Sequence, residues 1–252
     1  MNAGPDETAG PDARTQELAA ALAATRRRLV AAAESAGRAP EDIALLVVTK
    51  FHPAEDLARL LALGEREFGE SREPEAGRKI ARVRGEVDVP FAADMIGSVQ
   101  RKKAGGIARW ARRVHSVDSL ALIDAFDGAA ARALEAGHRD ERLGVLLQVS
   151  LDGDPKRGGL VAADLEEAAD HVLAAEDSLT LDGLMLIAPL GLAADDAMAR
   201  IADIRAGFME RYPGAVELSA GMSGDMDEAI AHGSTCVRVG TAILGPRPIL
   251  SP

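Results

Sequence analysis

The chain has 252 residues, of which 47% are hydrophobic but only 3% aromatic, and it carries a formal net charge of −11. This length suits one barrel-sized domain with a core built from Ala, Leu and Val. The charge disfavours a nucleic acid or an anionic membrane as a partner, the single cysteine excludes an internal disulfide, and no apolar run reaches the roughly 18–20 residues of a membrane span.

The chain begins with a polar segment, "MNAGPDETAGPDA", which lacks the apolar core of a signal peptide. We therefore expect a cytoplasmic protein in which residues 1–13 form a disordered tail. From residue 14 to residue 37 the pattern becomes helical, because Leu18, Leu22, Leu29 and Ala33 fall on one face of a 3.6-residue period.

Short apolar runs then alternate with amphipathic segments. The runs predict strands, and the longer amphipathic segments between them predict helices at 54–63, 119–137, 162–175 and 194–211. The predicted strands cover residues 43–50, 66–70, 89–97, 112–117, 142–151, 179–188, 215–220 and 235–241.

This alternation of about eight strands with helices favours a parallel sheet that is covered by helices. Eight such units in about 210 residues suit a (β/α)8 TIM barrel, with a doubly wound open sheet as the alternative. Because no linker interrupts the pattern, we expect a single domain over residues 14–252. In a barrel, the residues just past the strand ends would gather at one face and form the functional site.

Lys50 ends the first predicted strand, in "ALLVVTKFHP". It has two interpretations. It can be a rim lysine whose ammonium reaches solvent. It can also be an amine whose pKa is lowered by burial, ready to form a Schiff base with an aldehyde. The second interpretation requires a binding site for the rest of the aldehyde.

Two loops rich in small residues, near the end of the chain, could supply that site. In "LSAGMSGDMDEAI" (218–230), Gly221 allows close approach of the backbone, and the hydroxyls of Ser219 and Ser223 could hold an anion at a helix N-terminus. An ordinary loop with a good helix cap is the alternative. Gly240 and Thr241 end the eighth predicted strand, where a new helix should start, and loops after strands 7 and 8 of a barrel often bind phosphate.

Three further features are harder to interpret. Arg238 interrupts an apolar strand, which favours either a functional role or a structural ion pair with a carboxylate. The basic segment 101–113, "RKKAGGIARWARR", predicts a solvated helix, with a docking surface as the alternative. His115 is expected to be a satisfied strand-end histidine. The five histidines show no metal spacing, so we expect no metal site.

The sequence resembles the pyridoxal phosphate homeostasis proteins over residues 15–247. The resemblance rests on "LLVVTKFHPAEDLARLLALGEREFGESREPEA", "VHSVDS", "LLQVSLDGDPKRGG", "GLMLIAP" and "LSAGMSGDMDEAIAHGSTCVRVGTAILG". It implies a barrel like the N-terminal domain of alanine racemase, with pyridoxal 5′-phosphate (PLP) held as a Schiff base on Lys50. It also implies that Arg238 faces the pyridine nitrogen. The residues implied to cradle the phosphate are Ser219, Gly221, Met222, Ser223, Gly240 and Thr241.

The sequence also departs from the family pattern. The usual "FGEN" ends here in Ser71, and the usual "WHFIGxLQxNK" reads "ADMIGSVQRKK", with Ala93, Asp94 and Lys102 at the altered positions. By the resemblance these positions surround the mouth of the cofactor site. These changes would affect any function that depends on that rim, including the transfer of PLP to a partner.

The expected function is that of a PLP carrier or regulator in vitamin B6 and amino-acid homeostasis, without turnover of its own. PLP-dependent apoenzymes are the partners to consider, and the protein is expected to be a monomer or a weak dimer. One alternative is a minimal PLP enzyme such as a weak racemase. Racemisation needs proton transfer on both faces of a carbon, whereas the one tyrosine, Tyr212, is predicted near the end of a surface helix. An aldolase-like barrel that uses Lys50 without PLP is the other alternative.

Overall fold

The computed structural model describes residues 12–154 and 156–247. The first helix, α1, spans Ala13–Ser35, and the Asp12 carboxylate caps it by accepting a hydrogen bond from the Thr15 backbone N–H at 2.7 Å. Asp12 and Ala13 are therefore part of this helix and its cap, although the predicted tail included them. The rest of the predicted tail, residues 1–11, lies outside the described residues.

Eight parallel strands close into a barrel in chain order, so the predicted (β/α)8 fold is confirmed. Each predicted strand is present, shortened at one or both ends. The strands are β1 (Ala44–Val48), β2 (Glu67–Glu70), β3 (Ala92–Met95), β4 (Arg113–Val117), β5 (Leu143–Val149), β6 (Leu179–Leu186), β7 (Glu217–Ser219) and β8 (Cys236–Val239).

Helices follow the strands and cover the outside of the barrel. Their apolar faces pack on the strands through a continuous set of buried Leu, Ile, Val, Ala and Phe side chains. The remaining helices are α2 (Ala54–Ala62), α3 (Glu75–Glu86), α4 (Ala104–Ile107), α5 (Leu120–Glu135), α6 (Leu165–Ala174), α7 (Ala194–Arg211), α8 (Met226–Ala231) and α9 (Thr241–Leu244).

The basic segment 101–113 is not the solvated helix that its composition predicts. It forms a 3-10 turn over Arg101–Lys103 and the four-residue helix α4, and Trp110 is buried. Its last residue, Arg113, already belongs to β4 and donates to Asp182 at 2.5 Å. The prediction was wrong because it considered only the charges of the segment. The burial of its apolar side chains fixes the segment to the barrel.

Within the described residues, no helix is both long enough and apolar enough to cross a membrane.

Candidate functional site

Lys50 lies two residues past the end of β1, at the carboxyl end of the barrel. Side chains alternate across a strand. Val48 faces the interior, since a Cβ on Gly69 of β2 would meet both Leu46 and Val48 there. Lys50 lies beyond the strand, in the turn that follows it, and its exposed side chain is close enough to Arg238 of the barrel interior for the two charges to interact.

The turn that carries Lys50 is fixed from two sides. The Thr49 carbonyl accepts hydrogen bonds from the His52 N–H at 3.1 Å and from the Lys79 ammonium at 2.8 Å. Phe51 has a φ of 68°, in the left-handed region that residues with a side chain rarely adopt. The Arg247 guanidinium lies 3.6 Å from the centroid of the Phe51 ring. Strained backbone of this kind persists only where its surroundings hold it.

Beneath this turn lies a buried ion pair on the helix-facing side. The Glu70 carboxylate accepts hydrogen bonds from the Lys79 ammonium and from the Thr49 hydroxyl, both at 2.7 Å. Lys79 belongs to α3, so the pair ties that helix to the ends of β1 and β2. Lys79 neutralises Glu70, and Lys50 is therefore left without a close carboxylate partner of its own among the described residues.

The pKa of the Lys50 ammonium is lowered from its ordinary value of 10.5. Partial burial is the main cause, and the positive charges of Arg247 and Arg238 add to it, while Glu70 acts in the opposite direction. A lowered pKa increases the fraction of neutral amine, which is the form that attacks a carbonyl carbon. The electrostatics therefore favour the reactive interpretation of Lys50 over that of an ordinary rim lysine.

The loop after β7 is a compact turn. The Met222 N–H donates to the Asp225 carboxylate at 2.6 Å, and the Ser223 carbonyl accepts from Arg28 of α1 at 2.6 Å. Asp225 therefore closes this loop and makes no side-chain cap on α8. Gly221 has a φ of 89°, and an added Cβ would lie 2.5 Å from the Ala229 side chain, so only glycine fits here without strain.

The loop after β8 lies directly against β1. The Gly240 carbonyl accepts from the N–H groups of Ile243 and Leu244, both at 2.9 Å, and thereby begins α9. A Cβ on Gly240 would stand 3.1 Å from the Val48 carbonyl oxygen. The backbone at Gly240 and the exposed Thr241 thus sit beside the strand that carries Lys50.

Arg238 is buried inside the barrel, only 5% exposed, in register with Leu46 of β1. Its guanidinium donates to the Ser219 hydroxyl at 2.6 Å and to the Leu186 carbonyl at 2.8 Å. No carboxylate of the described residues forms an ion pair with it, so the structural ion pair considered from the sequence is absent there. Burial lowers the pKa of this guanidinium, and a buried cation without a counter-charge is costly.

A directional chain of hydrogen bonds leads from Arg238 across the barrel interior. Asp94 is buried and its pKa is about 2: burial raises that pKa, and the hydrogen bonds from His115 and Arg112 more than offset the rise. Its carboxylate therefore only accepts, so His115 donates through Nε2 at 3.1 Å and must accept through Nδ1. Ser219 then donates its hydroxyl proton to that Nδ1 at 2.9 Å and accepts from Arg238.

This chain changes two of the expectations. His115 is a satisfied buried histidine, as predicted, and burial lowers its pKa, which keeps it neutral. The Ser219 hydroxyl points into the interior and is engaged with His115 and Arg238, so its predicted contact with a phosphate stays a prediction.

The other predicted residues meet at one end of the barrel. Gly221 and Arg238 are joined directly by a backbone hydrogen bond of 3.0 Å, and β8 is paired with β1, which leads to Lys50. A cavity of about 360 Å³ adjoins the loops at the ends of β5 and β6 and is lined in part by Met222. An amine, two glycine-containing loops and a buried guanidinium together suit a small anionic aldehyde.

Sequence reasoning missed the groups that support Lys50. Glu70 was expected to be informative because it ends a strand, but its ion pair with Lys79 was not predicted. Asp94 was noticed only as a departure from a family pattern, and its pairing with His115 depends on the closure of the barrel. No local signal pointed to Arg247.

Comparisons with known proteins agree with this geometry. The family described as "Alanine racemase, N-terminal domain" matches residues 19–248. The pyridoxal phosphate homeostasis protein of Mycobacterium bovis is 48% identical over 257 residues, covering 98% of this chain and 99% of that protein. The solved structure of PipY from Synechococcus elongatus with PLP bound has a TM-score of 0.75 and 33% identity, covering 90% of this chain and 100% of that one.

A more distant structure agrees in fold alone. The alanine racemase of Corynebacterium glutamicum is 15% identical with a TM-score of 0.61, and the match covers 91% of this chain but 60% of the racemase. Together, the family match over most of the chain and the relative at 48% identity confirm the resemblance seen in the sequence. This chain therefore belongs to the alanine racemase N-terminal domain family and, within it, to the pyridoxal phosphate homeostasis proteins.

Proposed function

We propose that this protein binds PLP as a Schiff base on Lys50 and serves in PLP and amino-acid homeostasis in the cytoplasm. The observation that carries the proposal is the buried Arg238 guanidinium, which has no carboxylate partner among the described residues and lies in the barrel interior beside β1. The pyridine nitrogen of PLP is an acceptor that would satisfy such a donor. The similarity to PipY, which was solved with PLP bound, supports the same assignment.

In this proposal each group of the site has one task. The backbone at Gly221, Ser223 and Gly240, with the Thr241 hydroxyl, holds the phosphate, and Met222, whose N–H donates to Asp225, belongs to the same loop. Ser219 holds Arg238, because its hydroxyl accepts from that guanidinium at 2.6 Å.

PLP, when bound, supplies an aldehyde for the Schiff base and a ring that withdraws electrons. An arginine can donate a hydrogen bond to the ring nitrogen but does not transfer a proton to it. The ring is then a weaker electron sink than it would be beside a carboxylic acid.

We further propose that the protein acts as a carrier or regulator rather than as an efficient enzyme, with PLP-dependent apoenzymes as possible recipients of the cofactor. The relatives it matches are named homeostasis proteins. Tyr212 is engaged elsewhere, since its hydroxyl donates to the Asp170 carboxylate at 2.7 Å on the outer helices. Lys50 is one proton-transfer group, and racemisation requires a group on each face of the carbon.

The proposal is tested with the purified full chain and PLP. We expect a visible absorption band from the Schiff base, and after borohydride reduction a phosphopyridoxyl adduct that peptide mapping assigns to Lys50. Lys50→Ala should abolish both signals without unfolding the protein, whereas the matched control Lys156→Ala, at an exposed lysine, should keep them. An adduct confined to another lysine, or the absence of any adduct, would contradict the assignment.

The carrier proposal requires a separate test. The PLP-loaded protein is incubated separately with enantiopure L-alanine and D-alanine. The amount of the opposite enantiomer is measured over a time long enough to detect several product molecules per protein molecule. We expect no sustained turnover. Multiple turnovers that disappear in Lys50→Ala would instead support the alternative, a minimal racemase.

A further inference from the structure

The second notable cavity lies at the opposite end of the barrel from Lys50. This cleft, of about 900 Å³, is formed at the amino ends of the strands by the segments that precede β3, β4 and β5. We call it the amino-end cleft and define it by the seven arginines that line it. Arg112 and Arg113 lie nearer the strands, and the other five are Arg66, Arg84, Arg109, Arg139 and Arg142.

The amino-end cleft is positively charged in a protein whose net charge is −11. Seven arginines line it, against four acidic residues. Arg112 is neutralised by Glu67 and Asp94, and Arg113 by Asp182 and Glu217. That leaves five arginines, none with a carboxylate within 4.0 Å among the described residues, and two acidic residues, Asp140 and Glu141, that are likewise unpaired.

Four of the five unpaired arginines are held in place by backbone carbonyls. Arg66 donates to those of Leu61 and Glu65, and Arg142 donates to that of Glu176. Arg139 donates through Nη1 to the Ala108 carbonyl at 2.7 Å and the Ala111 carbonyl at 3.2 Å, and through Nε to the Glu141 carbonyl. Arg84 donates to the Trp110 carbonyl at 3.2 Å. Carbonyl contacts orient a guanidinium without cancelling its charge, and each of these side chains keeps further N–H groups available.

Partial burial lowers the pKa of both Arg84 and Arg139. Their carbonyl contacts explain why they pack against the 108–111 turn. Those contacts do not account for Arg109, which is exposed on the same cleft and whose guanidinium makes no hydrogen bond or ion pair with the described residues.

We propose that the amino-end cleft binds a phosphate-bearing polyanion. Guanidinium groups match phosphate oxygens in a two-pronged geometry, and pre-oriented arginines lose less side-chain entropy on binding. The cleft is much larger than one phosphate group, and its unpaired arginines stand on several segments around it. A ligand with at least two anionic groups would therefore engage more of them than a single phosphate could.

The test uses isothermal titration calorimetry of the full chain with inorganic pyrophosphate in a low-salt buffer. We expect one site whose affinity falls about tenfold in Arg109→Gln and in Arg139→Gln, the loss typical of one hydrogen bond to a charged group. Arg27→Gln is the matched control, because Arg27 is exposed on α1 and lies outside the cleft. The affinity of Arg27→Gln for pyrophosphate should equal that of the unaltered protein.

Pyrophosphate could also bind at the phosphate loops near Lys50, but binding there would not be weakened by Arg109→Gln or Arg139→Gln, because both arginines line the cleft at the opposite end of the barrel. If Arg139→Gln fails to fold, Arg109→Gln and Arg142→Gln decide the question. The proposal is overturned if pyrophosphate does not bind, if Arg27→Gln weakens binding as much as the cleft variants do, or if none of the cleft variants weakens it.

Discussion

Replacing Asp94 by asparagine tests the buried chain that leads to Arg238. The Asp94 carboxylate is fully buried and accepts from Arg112 through both oxygens, at 2.9 and 2.7 Å, and from His115 at 3.1 Å. Asp94→Asn removes the charge while leaving Arg112 and His115 in place. Arg112 keeps its ion pair with Glu67 at 2.8 Å, so the cost is that of the weakened charge-assisted hydrogen bonds, and we expect a loss of about 1.5–3 kcal/mol in the free energy of unfolding.

The pH dependence of that loss identifies the charge. The pKa of Asp94 is about 2 in the folded protein and 3.8 for the ordinary carboxyl group, so its contribution is present above 3.8 and falls as pH drops towards 2. The full shift corresponds to about 2 kcal/mol, and about half of that is lost between pH 6 and pH 3. The difference in stability between the unaltered protein and Asp94→Asn should therefore shrink by about 1 kcal/mol over this range.

The assay is urea denaturation followed by circular dichroism at both pH values. Glu86→Gln provides the control, since Glu86 forms an exposed pair with Arg82 within α3. It should cost about 0.3–0.5 kcal/mol. A loss for Asp94→Asn as small as that of the control, or a loss that does not change with pH, would refute the assignment of Asp94 as the ionised centre of the chain.

Three further predictions follow from the geometry of the site. Gly221→Ala should destabilise the protein by about 1–3 kcal/mol, because its φ of 89° and its contact with Ala229 both oppose a side chain; Gly214→Ala, in open space, is the control in the same urea assay. Cys236 should not react with a disulfide reagent at pH 8 until the protein is unfolded, because burial raises its pKa to about 12; rapid reaction of the native protein would contradict this. The rate of borohydride-trapped PLP addition to Lys50 should rise with pH around a midpoint below 10.5, since its pKa is lowered in the folded protein; a midpoint at or above that value would show that the amine behaves as an ordinary lysine.

Much of the fold was predictable because strand and helix patterns are local. The apolar run of β1 and the regular return of turn residues identified all eight strands, with errors confined to their ends. Segment 101–113 was mispredicted because its fate depends on which side chains the barrel buries. Trp110 packs inward and its indole donates to Glu73 at 3.1 Å, a contact that the local charge pattern does not encode.

The candidate site was predictable only in part, for a related reason. Lys50, Gly221 and Gly240 stood out because an amine at a strand end and glycines in βα loops are unusual locally. The partners of those residues come from distant segments. Glu70 meets Lys79 only after α3 packs on the barrel, and Ser219 meets His115 across 104 positions of sequence.

The barrel interior also gives a physical account of one departure from the family pattern. Where that pattern has a histidine, Asp94 supplies the single negative charge at the centre of the chain from Arg112 to Arg238. A second neutral or cationic imidazole there could not accept from both Arg112 and His115. The aspartate therefore fixes the tautomer of His115, the direction of the Ser219 hydroxyl and, through it, the position of the guanidinium. Asp94 therefore acts on the proposed cofactor site from the barrel interior, through Arg238. The family resemblance had placed this residue at the rim of the site.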